Sequence, residues 1–196
     1  MKYFTLDYLQ EGWEMWFDKT EEERREIEKR HDLILEEYLR ELESLKHRVG
    51  KKTWEFFRHG RDEYGLHDGR LLSFCVGDGL DYVPDGSSPF LINRQETSAK
   101  IEFLNHEQSF HYTFTLLGVG RVRSDISVDK DMRAESIGDL MICELTAVDE
   151  DYLQLGFPFA SGSTIVIQFQ QLIFKRKRIK RKYEVGEMYR INRRKM

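Results

Sequence analysis

Gly138-Asp-Leu-Met-Ile-Cys-Glu-Leu-Thr-Ala-Val148, Asp149-Glu-Asp-Tyr-Leu-Gln-Leu-Gly-Phe-Pro-Phe159 and Ala160-Ser-Gly-Ser-Thr-Ile-Val-Ile-Gln-Phe-Gln-Gln-Leu-Ile-Phe174 form the stretch that decides the fold class. β-Branched and aromatic residues run between turn residues, which predicts three strands in a meander: 140–148, 152–159 and 164–174. In the third strand the apolar face is Ile165, Ile167 and Phe169, then shifts to Leu172 and Phe174. A bulge near Gln170-Gln171 is the expected cause of that odd step. The stretch contains no nucleophile beside a base, no metal-ligand cluster and no phosphate loop.

Upstream, Arg70-Leu-Leu-Ser-Phe-Cys-Val76 predicts the first strand, and Pro89-Phe-Leu-Ile-Asn93 the next. Ala99-Lys-Ile-Glu-Phe-Leu-Asn105 and Phe110-His-Tyr-Thr-Phe-Thr-Leu-Leu117 alternate apolar and polar sides as half-buried strands do. Residues 77–88 are rich in Gly and Asp and are the longest loop candidate. Residues 118–137, with Arg121, Arg123, Asp125, Asp129 and Lys130, are expected to be a strand end followed by a polar loop.

The N-terminal third is helical in pattern. Thr5 is an N-cap candidate for a short amphipathic helix with Leu6, Leu9, Trp13 and Trp16 at spacings of three and four, a stripe expected to anchor it in the core. Thr20-Glu-Glu-Glu23 fits a capping box. Behind it Ile27, His31, Ile34, Tyr38, Leu42, Leu45 and Val49 mark one face of a helix ended by Gly50, about 29 residues or roughly 43 Å long. Glu21–Arg25, Glu26–Arg30 and Glu36–Arg40 are ordered favourably on its solvated face. So long a helix can overhang its own domain, so the partner expected for it is another protein or a second copy. Lys51-Lys-Thr-Trp-Glu-Phe-Phe-Arg-His59 is a further short helix.

The fold class that follows is α+β: two N-terminal helices, one long, packed on a mostly antiparallel sheet sandwich or partial barrel. Residues 1–60 form the helical segment, 61–183 the antiparallel β domain and 184–196 a basic tail, together one folded unit. At 196 residues with 40% hydrophobic and 13% aromatic residues, the chain can bury a substantial core. No run is long and apolar enough for a membrane span, and Asp7 interrupts any leader-like segment, so a cytoplasmic protein is expected. Cys75 and Cys143, both in strand-like surroundings without Cys-x-x-Cys spacing, are expected to be buried thiols.

The motifs that suggest chemistry are weak. His106-Glu-Gln-Ser-Phe-His111 places its second histidine one residue too late for a zinc helix. Asp78, Asp81 and Asp85 fail the EF-hand spacing, since Leu80 and Tyr82 occupy ligand positions. Gly118-Val-Gly120 lacks the third glycine of a dinucleotide loop. No cofactor is implied. His67 and Asp68, in the turn Tyr64-Gly-Leu-His-Asp-Gly69, are candidates either for a ligand contact or for fixing the turn through local backbone amides. A hydrolase-type enzyme using His67, Asp68 and His111 is a distant third reading.

Net charge is −4, yet residues 175–196 hold 11 Lys/Arg against 2 Asp/Glu, a net of +9 that leaves −13 on residues 1–174. Lys175, Arg176, Lys177, Arg178, Lys180, Arg181 and Lys182 are seven cations in eight positions and the candidates for anion binding. The same run can guard a sheet edge or lie against the acidic helix of residues 21–43. The −13 field opposes a polyanion, so nucleic acid is not the expected partner. The leading reading is a non-catalytic binding or interaction module; the alternative is nucleic-acid or anionic-surface binding through the basic run.

The opening Met1-Lys-Tyr-Phe-Thr5, the Leu66-His-Asp68 turn, Gly138-Asp-Leu with Glu144-Leu, and Phe159-Ala-Ser-Gly162 before Ile165-Val-Ile-Gln-Phe169 resemble the bacterial family called domain of unknown function 4085. The resemblance spans residues 1 to about 175. It implies a helical N-terminal part with a mostly antiparallel sheet behind it, and no assigned activity.

Overall fold

Two four-stranded antiparallel sheets face each other, with the N-terminal helices packed against them, in the computed structural model of the chain, which describes residues 1–17, 19–59, 66–78, 97–127 and 137–179. The helices are α1 (Leu6–Glu14), α2 (Glu21–Ser44), α3 (Lys46–Val49) and α4 (Lys51–Arg58). The strands are β1 (Arg70–Asp78), β2 (Thr97–Leu104), β3 (Phe110–Leu117), β4 (Arg121–Asp125), β5 (Glu144–Ala147), β6 (Leu153–Pro158), β7 (Thr164–Phe169) and β8 (Gln171–Arg178). One sheet has the order β1-β2-β3-β8 and the other β4-β7-β6-β5, and they do not close into a barrel. The class is α+β, as the residue pattern predicts.

The meander of the deciding stretch is β5-β6-β7, each strand hydrogen-bonded to the next. The expected bulge at Gln170-Gln171 is instead a change of sheet. After Phe169 the chain leaves one sheet, the Gln170 amide donates to the Leu117 carbonyl (3.0 Å), and β8 joins the other sheet beside β3. One residue outside both ladders inverts the in–out parity, so Ile165, Ile167 and Phe169 enter the core from one sheet and Leu172 and Phe174 face inward from the other.

Three further expectations are corrected. The polar stretch after Gly118 does contain a strand, β4, paired with β7 through Val122 opposite Ile167. Its charged residues suit an edge. The strand expected over 140–148 ladders only at β5; Leu140 makes isolated bridges to Gly69 and Phe159, and residues 141–143 lie off the ladder. Cys75 is exposed, and only Cys143 is buried. The expected strand 89–93, most of loop 77–88 with Asp81 and Asp85, and the tail 184–196 fall outside the described residues.

The capping box is formed: the Thr20 hydroxyl accepts from the Glu23 amide, and the Glu23 carboxylate accepts from the Thr20 amide. The long helix then breaks its regular turn once, at Leu45, before α3. Ile27, Tyr38, Leu42, Leu45 and Val49 are buried as the stripe predicts. The stripe of Leu6, Leu9, Trp13 and Trp16 is not: Leu6, Trp13 and Trp16 are 39%, 65% and 63% exposed, and the neighbouring Phe17 is exposed as well. No residue of α1 is fully buried, and the side set against α2 is that of Gly12, facing His31.

One core unites the layers. Phe157 of β6 meets Phe103 of β2 and Phe114 of β3 across the sandwich, at ring-centroid separations of 5.2 and 5.6 Å. Phe56 and Phe57 of α4 pack on Phe114, and Phe56 lies 4.3 Å from the Phe174 ring. The N-terminus is tied down by a buried carboxylate. Glu144 of β5 accepts from the backbone amides of Lys2 (2.7 Å), Tyr3 (2.8 Å) and Phe4 (2.8 Å). Phe4 is thereby delivered into the core beside Tyr38.

Candidate functional site

The turn that carries His67 and Asp68 is held by its main chain. The Gly69 amide donates to the Leu66 carbonyl (2.9 Å), the Asp68 amide to the Leu140 carbonyl (2.8 Å) and the Leu140 amide to the Gly69 carbonyl (2.8 Å). A Cβ on Gly69 would come within 2.7 Å of the Leu66 carbonyl oxygen, which explains the glycine there. Asp68 takes a left-handed conformation (φ 58°), which an aspartate tolerates. Its carboxylate lies 3.1 Å from the His67 ring nitrogen.

His67 sits at the mouth of a cleft of about 550 Å³. Leu9, Leu35, Tyr38, Leu39 and Phe57 supply the helical wall, and Leu66, Met141, Ile142 and Cys143 the opposite one. The residues withheld from the β5 ladder are thus the ones that line it. Arg58 and His59, at the end of α4, add polar groups to the lining. Past Leu9 and His67 the cleft continues into a shallower groove between α1 and α2, lined by Tyr8, Gly12, Met15, Trp16, Glu28, His31 and Asp32. There Tyr8 stacks on His31 at 4.0 Å, and the bare face of Gly12 lets the two helices approach: a Cβ would lie 3.3 Å from the His31 ring.

A thiol, Cys143, and two imidazoles, His59 and His67, in one lining are ingredients of a nucleophilic site, but the electrostatics oppose that use. Burial pushes the Cys143 thiol up to about 12, so its thiolate is scarce at neutral pH. His111 lies elsewhere, on β3, 3.5 Å from Glu102 and lining a different depression with Leu72 and Lys177. The three residues of the hydrolase reading are therefore not brought to one cavity. Among the described residues, no group of three or more His, Cys, Asp or Glu is arranged to hold a metal ion.

The basic run divides in space. Lys175, Arg176, Lys177 and Arg178 lie on β8, the strand at one edge of its sheet, with Thr113 opposite Lys175 and Tyr112 opposite Arg176. Lys175 and Arg176 line a groove of about 670 Å³ against α4, together with Lys52, Glu55, Phe56, His59 and Phe174. Lys177 and Arg178 line the other depression, beside His111. Lys180, Arg181 and Lys182 fall outside the described residues. None of Lys175, Lys177 and Arg178 forms an ion pair with α2 among the described residues; the carboxylate of Glu41 there is engaged by Lys2 and Tyr3.

Sequence reasoning missed Glu144 and Lys52 as site residues, and weighed His59 only beside His67 and Asp68. The clue to Glu144 is its place, an acid flanked by Cys143 and Leu145 in an apolar strand, which requires a partner. Nothing in the spacing ties Lys52 and His59 to a strand more than a hundred residues later. No helix among the described residues is long and apolar enough to cross a membrane. No family model, curated protein or solved structure matches the chain.

Proposed function

We propose that this protein is a non-catalytic binding module that takes a small, largely apolar molecule with an anionic head into the cleft beneath α1. The observation that carries the reading is one surface: the apolar cleft, with Arg58, His59 and His67 at its edge, running on past Leu9 to the exposed Trp16. Its volume falls in the range of roughly 300–1,000 Å³ of small-ligand sites, which are apolar with a few placed polar groups. The high Cys143 pKa supports binding over nucleophilic chemistry. We also propose that the chain is related to domain of unknown function 4085, on the motifs Met1-Lys-Tyr-Phe-Thr5, Leu66-His-Asp68 and Glu144-Leu.

The test uses anilinonaphthalene sulfonate, which has apolar rings and an anionic group, with dodecanoate as competitor. Saturable fluorescence that dodecanoate displaces is expected from the folded protein. Leu39→Trp, which fills the cleft, should abolish it while the protein still melts cooperatively. Unchanged binding in that variant would place the dye elsewhere and sink the proposal.

A further inference from the structure

The groove between α4 and β8 has a composition that folding alone does not account for. Its walls bring Lys52 from the helix and Lys175 and Arg176 from the strand to one opening, over the packed rings of Phe56 and Phe174. Among the described residues neither Lys52 nor Lys175 forms an ion pair, and the one carboxylate of the lining, Glu55, lies 3.7 Å from Lys51. Arg176 is held in place, its guanidinium 5.1 Å from the Phe110 ring centre and bonded to Tyr112.

Guarding a sheet edge needs cations on the edge strand only. A lysine facing them from a helix adds repulsion, which an anion in the groove relieves. The aromatic floor between cationic walls suits a phosphate attached to a flat or apolar body.

We propose that this groove is a second binding site, for a small phosphate-bearing molecule of mononucleotide chemistry, with Lys52, Lys175 and Arg176 holding the phosphate and the Phe174 side of the groove receiving the ring. The site shares His59 with the cleft and is otherwise lined by different residues, so either proposal can fail alone.

Adenosine monophosphate and inorganic pyrophosphate serve as probes in calorimetric titrations of the full chain, because neither has the apolar body the cleft takes. Both should bind at about 50 mM salt and weaken at about 200 mM. Lys52→Gln with Lys175→Gln should weaken both about tenfold or more, with the melting temperature kept or raised. Lys52→Arg should preserve binding, and Phe174→Leu should weaken the nucleotide more than pyrophosphate. Hydrogen exchange should show protection at 51–59 and 171–178 when either probe is bound. No binding of either probe overturns the proposal. So does binding that the double variant leaves intact, since the phosphate would then be held outside the groove. A response only to single-stranded oligonucleotide overturns it in favour of nucleic-acid binding by the wider basic run.

Discussion

Glu144→Ala is the most informative single change, because one side chain accepts the backbone amides of three successive residues at the N-terminus. The carboxylate is 1% exposed and accepts three backbone amides at 2.7–2.8 Å. Lys2 is exposed, so its freed amide can turn to water. The Phe4 amide belongs to a fully buried residue and that of Tyr3 to a half-buried one. Leaving such donors unpaired costs about 1–3 kcal/mol each, and bonds to a charged acceptor lie at the upper end of the range. The expected loss is therefore about 3–5 kcal/mol. For a chain of 196 residues that corresponds to roughly 10 °C in melting temperature. Glu144→Gln keeps one acceptor oxygen and should lose about half as much. Thermal melts give the magnitude, and hydrogen exchange tests the cause, since the Tyr3 and Phe4 amides should lose protection selectively. A cycle with Phe4→Ala sharpens this: if Glu144 acts by seating Phe4, the two changes must fall short of additivity by more than about 0.5 kcal/mol. Strict additivity, or a shift in melting temperature under about 2 °C, would refute the reasoning.

Trp13→Ser and Phe17→Ser should each change stability by less than about 1 kcal/mol, because both rings are mostly in solvent, whereas Leu42→Ala should cost about 2–5 kcal/mol. Urea denaturation of the three variants decides; equal losses would mean that α1 is packed in solution. Acid stability should depend on Glu41, measured as the unfolding midpoint from pH 7 to pH 3. Burial alone would raise this carboxyl, but the bonds from Lys2, Tyr3 and Ala147 outweigh it and hold it below the ordinary value near 4.5. The folded protein therefore binds fewer protons than the unfolded chain, so the stabilisation is present above about 4.5 and is lost as pH falls through the lower, folded value. Glu41→Gln should flatten that acid limb, and a curve parallel to the parent's over the whole range would exclude the assignment.

The parts of the fold legible in the sequence are those where local pattern and burial agree. The α2 stripe from Ile27 to Val49, the alternation in β2 and β3 and the β5-β6-β7 meander each bury the residues their period selects. Misreadings arose where tertiary context overrode the period. The α1 tryptophans have helical spacing, but only tertiary packing decides how much of a nine-residue helix is covered. β4 is too polar to read as a strand, and its pairing with β7 supplies what composition does not. At the sites, His67 and Lys175 were visible as residue types. Their neighbours Leu39, Cys143, Lys52 and Phe56 come from other elements, and no spacing rule connects them.

Both candidate sites are made by departures from regular strand in the same stretch, residues 138–174. At its start, Leu140 bridges Gly69 on one side and Phe159 on the other and the Met141 amide donates to the Pro158 carbonyl (2.9 Å), yet residues 141–143 form no ladder. Their side chains turn instead to face Leu35 and Leu39 across the cleft. At its end, Gln170 stands outside both ladders and sends the chain into the opposite sheet. Had β7 simply continued, Lys175 and Arg176 would extend the β4-β7-β6-β5 sheet. The switch sets Phe174 beside Phe56 and carries the two cations to the edge that α4 overlooks. A residue inserted at Gln170 would shift β8 by one position and move Arg176 and Phe174 to the other face of their sheet. Such a variant should lose phosphate binding in the groove while leaving the cleft and its dye binding in place. Loss of both together would mean that the two sites are not built independently.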